Sequence, residues 1–284
     1  MSFQSKYGPW ALITGAAGGL GAEFARQVAG RGLDLILVDI DAASLAQTAS
    51  AIRRETGRRV RTKVVDLAEP RFLDSIRALT RQLEVGLLIN NAAISGVGLF
   101  LERPIEDHLQ AVAVNVRAPL ALTHALGGAM VARKRGGIIL VSSMSALQGT
   151  AYVANYAATK AYDLILGEGL WEELRTHGVD VLAFLPGSTR TGGFSRSKPR
   201  LDRATAMPIM EVGPTAASAL DALGKSPQQV AGRFNQAVTA LTQRVLPRAY
   251  AIQLISRSMA ELYARPPERA TRKPARAAKR KTSA

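Results

Sequence analysis

Short apolar runs alternate with longer amphipathic stretches along most of this chain. The runs lie at 10–13, 34–38, 59–65, 85–89, 137–141 and 179–185. Most are nearly continuous in Val, Ile and Leu, the pattern of strands covered on both faces. Between them, apolar residues recur at helical spacing over about 22–31, 42–56, 70–83, 104–133 and a stretch around Tyr156 that runs to about 177. A helix after every strand predicts an α/β domain: a doubly wound parallel sheet of about seven strands with helices on both faces.

The alternation ends near residue 185. The stretch 188–212 is polar, contains Pro199 and Pro208, and carries Arg190, Arg196, Lys198, Arg200 and Arg203 against Asp202 and Glu211. It reads as a substrate lid or as an ordinary mobile surface loop. A helix is expected over 215–223. The run 246–263 is amphipathic, with an apolar face suited to the domain, a second subunit or a membrane surface. The expected organisation is one α/β domain over 1–245, a helix over 246–264 and a disordered tail over 265–284.

Composition narrows the chemistry. The chain has 284 residues, 47% hydrophobic and 21% charged, ordinary for a globular protein. It has no cysteine, which excludes disulfide scaffolds, cysteine nucleophiles and thiolate metal sites. His108, His124 and His177 are far apart and are not expected to ligate metal. No apolar signal core or bilayer-length span is present, so a soluble, cytoplasmic protein is expected. The net charge is +15, but 265–284 holds eight basic residues and one acidic residue, a net +7 that leaves +8 for the rest. That tail is expected to be solubilising, with weak contact to a polyanion or a membrane surface as the alternative and no specific nucleic-acid partner.

Candidate chemistry sits at the ends of the predicted strands. After 10–13 comes a turn with Gly15, Gly18, Gly19 and Gly21, followed by a helix. Such a turn lets backbone approach a pyrophosphate, and the helix start offers free N–H groups. Together with the alternating pattern this makes the domain Rossmann-like. The next strand ends in Asp39, placed to bond ribose hydroxyls and to repel a 2′-phosphate. Asp41 adds a second negative charge, and no Arg or Lys lies between Leu33 and Ala51. NAD is therefore expected, with NADP as the alternative. Asp39 could also cap the following helix. Asp66 at the end of the third run could reach an adenine amino group. Asn90, Asn91, Ala92 and Ala93 end the fourth run with small residues and amides that suit a ligand crevice. Asn115 lies inside the long helix 104–133, where it could bond neighbouring backbone or hold a water.

Tyr156 and Lys160 are four residues apart, on one face of a helix. An ammonium beside a phenol favours the phenolate, so the pair can exchange a proton with a substrate oxygen. Ser143, at the end of the fifth strand, can bring a hydroxyl to the same oxygen.

Taken together, Thr14, Gly15, Gly19, Gly21, Asp66, Asn90 to Ala93, Asn115, Ser143, Tyr156, Lys160, Pro186 and Gly187 resemble the short-chain dehydrogenase/reductase family in order and spacing, over about residues 7–235. The resemblance implies that Tyr156 is the general acid/base, that Ser143 orients the substrate oxygen, that Lys160 binds the nicotinamide ribose and aids the tyrosine, and that Asn115 holds a water. It implies cofactor contacts at Gly15, Gly19, Leu20, Gly21, Asp39, Asp66 and Leu67, and at Asn91, Ala92, Tyr156, Lys160, Pro186, Gly187 and Thr191. It also suggests dimers or tetramers through the helices at Pro104 and Tyr156. The end of the chain resembles the branch that reduces 3-ketoacyl chains and hydroxysteroids. That branch usually carries basic residues after the second strand, where this chain has Asp39 and Asp41, and Ala93 stands where many members have glycine.

These features predict interconversion of a secondary alcohol and a ketone. The substrate is expected to be apolar, bordered by Ile94, Val97, Leu99, Phe100, Leu147, Tyr152 and Phe194. Arg196 and Arg200 could receive an acidic group. The competing expectation is a dinucleotide-binding regulator or scaffold without turnover, its basic tail contacting a polyanion.

Overall fold

The computed structural model describes residues 2–197, 199 and 208–263. Its centre is a parallel sheet of β1 (Trp10–Thr14), β2 (Asp34–Asp39), β3 (Val60–Val64), β4 (Val85–Asn90), β5 (Gly136–Val141), β6 (Val179–Leu185) and β7 (Gln228–Val230), in the order β3-β2-β1-β4-β5-β6-β7. Successive side chains on a strand point to opposite faces. Ala11 and Ile13 of β1 therefore enter one core with Leu35, Leu37, Leu87 and Ile89, while Trp10 and Leu12 enter the other with Ile36, Val38 and Leu88.

Helices cover both faces. The first core is closed by α2 (Gly19–Gly30) through Phe24 and Val28, by α3 (Ala42–Thr56) through Leu45 and Ile52, and by α9 (Val212–Ala222) through Ala216 and Leu220. The second is closed by α4 (Phe72–Thr80), by α6 (Ala118–Ala132) and by the far side of α7 (Ala154–Arg175), with Ile76, Leu122, Met130 and Trp171 among its members. A short α1 (Phe3–Tyr7) packs under the sheet. Its Tyr7 hydroxyl donates to Asp180 Oδ2 at 2.6 Å.

Chain order reverses between β1 and β4, which opens a crevice at the carboxyl ends of these strands. The stretch 188–212 starts from this edge. Its two described ends are joined, since Met210 donates its N–H to the Ser188 carbonyl and Arg190 donates to the Met210 carbonyl, both at 2.8 Å. Arg200, Arg203 and the basic tail 265–284 lie outside the described residues.

Two expectations change. The long helix over 104–133 is interrupted: α5 (Ile105–Val112) ends in a wider π-helical turn over Ala113–Arg117 before α6 begins. The Ala118 N–H reaches back five residues to Ala113. Pro119, in the first turn of α6, has no N–H to return to the Asn115 carbonyl, so the regular ladder cannot continue through this point. The cap of α3 is Asp41, whose carboxylate accepts the Ser44 N–H at 3.0 Å, and not Asp39. The α-helices and strands without an individual expectation are α1, the short α8 (Gly192–Arg196), β7 and α10 (Arg233–Arg244).

Candidate active site

The crevice at the carboxyl ends of the strands holds two clefts that share Leu20, Asn91, Ala93, Thr191 and Gly193. The larger, about 620 Å³, is lined by Gly15, Gly19, Leu20, Gly21, Asp39, Asp66, Leu67, Asn91, Ala92 and Thr191. The smaller, about 310 Å³, is lined by Ser143, Tyr156, Lys160, Pro186 and Gly187. Every residue given from the sequence as a cofactor contact, together with Ser143, therefore borders one cleft or both.

Backbone geometry explains the glycines. Gly15 has φ +67° and Gly19 φ +55°, a left-handed conformation that side-chain-bearing residues avoid. Gly21 is required for packing, because a Cβ there would lie 2.0 Å from the Gly15 carbonyl oxygen. A Cβ on Gly18 would meet nothing within 4 Å, and Gly18 borders the larger cleft. Asn91 ties this turn to β4: Nδ2 donates to the Thr14 and Gly15 carbonyls at 3.0 and 3.2 Å, and its backbone N–H donates to Thr14 Oγ1.

The Asp39 carboxylate completes the turn. Oδ2 accepts from the Ala17 N–H at 2.8 Å, and Oδ1 accepts from the Ile40 and Asp41 N–H groups at 2.7 and 3.0 Å. Asp66 Oδ1 accepts from the Ala68 N–H at 2.8 Å. Among the described residues lining the larger cleft are three carboxylates, Asp39, Asp41 and Asp66, and no Lys or Arg.

In the smaller cleft, Ser143 is extended and caps a 3₁₀ turn over Met144–Leu147, its Oγ accepting the Ser145 N–H at 3.1 Å. Tyr156 and Lys160 enter from the first turns of α7. Lys160 is 2% exposed. Its Nζ donates to the Val141 carbonyl at 2.7 Å and to Asp163 Oδ2 at 2.9 Å. Asp163 was not singled out from the sequence, although its i,i+3 spacing from Lys160 was a readable signal.

Asn115 borders neither cleft. It lies fully buried behind them, inside the π-helical turn. Oδ1 accepts the Ile94 N–H at 2.8 Å, and Nδ2 donates to the Ile94 carbonyl and to Thr159 Oγ1. Of the two roles open to its side chain, bonding backbone is the one observed. Pro119 has no N–H to return to the Asn115 main-chain carbonyl.

The apolar lining differs from expectation. Val97, Leu147 and Phe194 border the smaller cleft, and Ile94 borders the larger. Leu99, Phe100 and Tyr152 border neither; Phe100 stacks on His108 with centroids 4.4 Å apart. Their places are taken by Val238, Thr239 and Thr242 of α10 and by Ile255, Met259 and Tyr263 of α11 (Arg248–Tyr263). Of the three surfaces open to the amphipathic run 246–263, it packs on the domain. Ser256 Oγ accepts the Ala151 N–H at 3.0 Å, and the Tyr263 hydroxyl lies 3.2 Å from Ser197 Oγ. Among the described residues lining this cleft, Lys160 is the one charged group.

Known proteins resemble this chain in sequence and in fold. The chain is 32% identical to the 7beta-hydroxysteroid dehydrogenase of Clostridium sardiniense over 236 residues, 83% of this chain and 90% of that protein. It is 34% identical to the very-long-chain 3-oxoacyl-CoA reductase of Laccaria bicolor over 183 residues, and covers 54% of that longer protein. A solved 7beta-hydroxysteroid dehydrogenase structure superposes with a TM-score of 0.82 at 26% identity, over 90% of this chain and 99% of the other. A short-chain dehydrogenase from Sphingobium yanoikuyae in complex with NADPH superposes with a TM-score of 0.70 at 30% identity, over 84% and 96%. The family model for short chain dehydrogenases matches residues 9–201, the span that builds the larger cleft and brings Ser143, Tyr156 and Lys160 to the smaller, and to that family this chain belongs.

Proposed function

We propose that this chain is an NAD-dependent oxidoreductase that interconverts a secondary alcohol and a ketone on an apolar substrate of lipid, steroid or acyl type. The observation that carries the reading is that Ser143, Tyr156 and Lys160 line a mainly apolar cleft opening onto a glycine-lined one. The larger cleft fits a dinucleotide. Gly18 leaves room at its wall, the first turn of α2 offers N–H groups for a pyrophosphate, and Asp39 and Asp66 lie where the adenosine half would rest. Three carboxylates, with no lysine or arginine among the described residues that line the cleft, favour NAD, since a 2′-phosphate would meet negative charge. The bound nicotinamide supplies or accepts the hydride.

The residues of the chain handle the oxygen and its proton. Ser143 Oγ holds the substrate oxygen, and Tyr156 gives that oxygen a proton during ketone reduction or takes it during alcohol oxidation. Lys160, held at the end of β5, favours the phenolate and contacts the cofactor ribose.

Substrate class follows the cleft. Its roof of Val238, Ile255 and Met259, and its lack of charge beyond Lys160, suit an uncharged ring or chain at the reacting end. The hydroxysteroid dehydrogenase and 3-oxoacyl-CoA reductase relatives fit that chemistry. We read the stretch 188–212 as a substrate lid and the tail 265–284 as a solubilising extension. Exposed apolar residues on and beside α5 to α7, including Leu101, Leu109 and Ile165, support a homo-oligomer. Among the described residues no helix is long and apolar enough to cross a membrane, and a cytoplasmic enzyme is the reading we adopt.

The test follows reduced-nicotinamide absorbance with secondary alcohols, steroids, 3-hydroxyacyl thioesters and their ketones, each with both cofactors. Turnover with NAD(H) that disappears in Tyr156→Phe is expected. Turnover with NADP(H) alone would overturn the cofactor assignment. Tight cofactor binding with no turnover on any substrate would favour the scaffold alternative.

A further inference from the structure

The proposed chemistry leaves one buried ionised group without a role. Asp163 Oδ2 accepts from Lys160 Nζ at 2.9 Å, and both side chains are 3% exposed. The second carboxylate oxygen, Oδ1, is buried with no hydrogen-bond partner among the described residues. Burial pushes the Asp163 carboxyl up, and the charge of Lys160 pulls it back down.

As a stabilising device this pair is poor. Two charges lose their hydration, and apolar residues of similar size often serve a fold as well. The orphan oxygen makes the arrangement worse. Its position is informative, because Asp163 lies one turn beyond Lys160 and two turns beyond Tyr156 on the same helix. We propose that Asp163 is a positioning residue for the proton chemistry at Tyr156: it is the fixed counter-charge that keeps the buried Lys160 an ammonium and fixes its Nζ at the end of β5. The proposal rests on the dehydrogenase reading of the site.

A buried ammonium without a counter-charge gives up its proton. Tyr156 then loses the positive neighbour that favours its phenolate. Few other groups can compensate. Besides Lys160, the titratable residues that line the substrate cleft are Tyr156 and Tyr263. The small cavity behind holds Lys160 and Asp163 as its charged groups, with uncharged Thr14 of β1 and Asn90 of β4 and apolar Val114, Ala118, Pro119 and Leu122 from the turn and α6.

Helical spacing sets the size of the effect. Lys160 is one turn from Tyr156, about 6 Å, and Asp163 two turns, about 10 Å. At an effective dielectric of about 20 the ammonium outweighs the carboxylate, and losing both charges moves the tyrosine titration up by about one pH unit.

The experiment is an ultraviolet difference titration of phenolate in the full chain, with the Tyr156→Phe curve subtracted to isolate Tyr156. In Asp163→Asn that step is expected to move up by about one pH unit, and in Asp163→Glu by less. A step that stays in place or moves down overturns the proposal. If Asp163→Asn loses its cooperative thermal transition, Asp163→Ser, which leaves space for a water, carries the same test. The titration needs neither substrate nor cofactor. A missing shift therefore removes the role of Asp163 while turnover in the substrate panel stands, whereas a panel without turnover removes the dehydrogenase reading and leaves the titration intact.

Discussion

Replacing Gly21 by alanine puts a methyl carbon 2.0 Å from the Gly15 carbonyl oxygen and 2.6 Å from Asn91 Nδ2. Neither neighbour can move freely. The Gly15 carbonyl belongs to the left-handed turn, and the Asn91 amide holds that turn to β4 through two hydrogen bonds. Relief requires a displacement of about 1 Å, the scale of overpacking that costs about 1–3 kcal/mol. At about 2–4 °C per kcal/mol for a domain of this size, Gly21→Ala should lower Tm by about 2–12 °C. Gly18→Ala is the internal comparison. Its backbone is extended, a conformation alanine adopts, and its new methyl meets no atom within 4 Å. The fold should keep its Tm, while the methyl at the wall of the larger cleft weakens dinucleotide binding by tenfold or more. Scanning calorimetry of the free proteins and calorimetric titration with NAD separate the two effects. The reasoning is refuted if Gly21→Ala melts with the unaltered chain, or if Gly18→Ala loses as much stability as Gly21→Ala and binds NAD normally.

Other outcomes follow from the same structure. Asp39→Asn keeps the shape and removes the charge, so the ratio of kcat/KM for NADP to that for NAD should rise about tenfold, worth about 1.4 kcal/mol; an unchanged ratio would show that Asp39 does not set preference. Tyr7→Phe removes a bond to a charged acceptor and should lower stability by about 1.5–3 kcal/mol at neutral pH, measured by urea unfolding. Burial first, and then the Asp180 contact, push the Tyr7 phenol up, so its stabilisation is complete below the unfolded tyrosine value of about 10 and is lost as pH rises through the higher folded value. Tyr7→Phe should flatten that alkaline loss, and an equally steep loss in the variant would contradict the assignment. Met259→Ala together with Ile255→Ala should raise KM for an apolar ketone several-fold with little change in NAD affinity. Ile165→Arg, at a site 65% exposed, should shift the oligomer toward monomer in light scattering without lowering monomer stability.

Parts of this molecule that depend on local rules were readable in the chain. Strands β1, β2, β4, β5 and β6 are buried on both faces, and their continuous apolar runs say so. The glycine turn was readable because positive φ and close packing leave few alternatives at Gly15 and Gly21. Strand β7 was not, because three residues at the sheet edge, Gln228 to Val230, carry no run and no alternation. The assignment of the α3 cap to Asp39 failed because Asp39 and Asp41 are both good caps by type, and the choice depends on Asp39 turning back to the Ala17 N–H. The break at Asn115 had a visible cause in Pro119, but a proline early in a helix is ordinarily tolerated, and its consequence depends on the helix already running before it. The roof of the substrate cleft was hidden for another reason. Leu99, Phe100 and Tyr152 were near the site in sequence, whereas Ile255 and Met259 reach it through tertiary packing about a hundred residues after Tyr156.

That distance gives the chain a temporal order. Every residue bordering the larger cleft precedes position 194, while the roof of the smaller one is drawn from positions 238–263. During synthesis the ribosome releases the cofactor-binding half first. The smaller cleft is therefore the last part of the site to be enclosed, after every residue described as lining the larger one has been made. Inheritance meets the same separation: changes confined to the last two helices can reshape the lining of the smaller cleft while the larger one stays as it is.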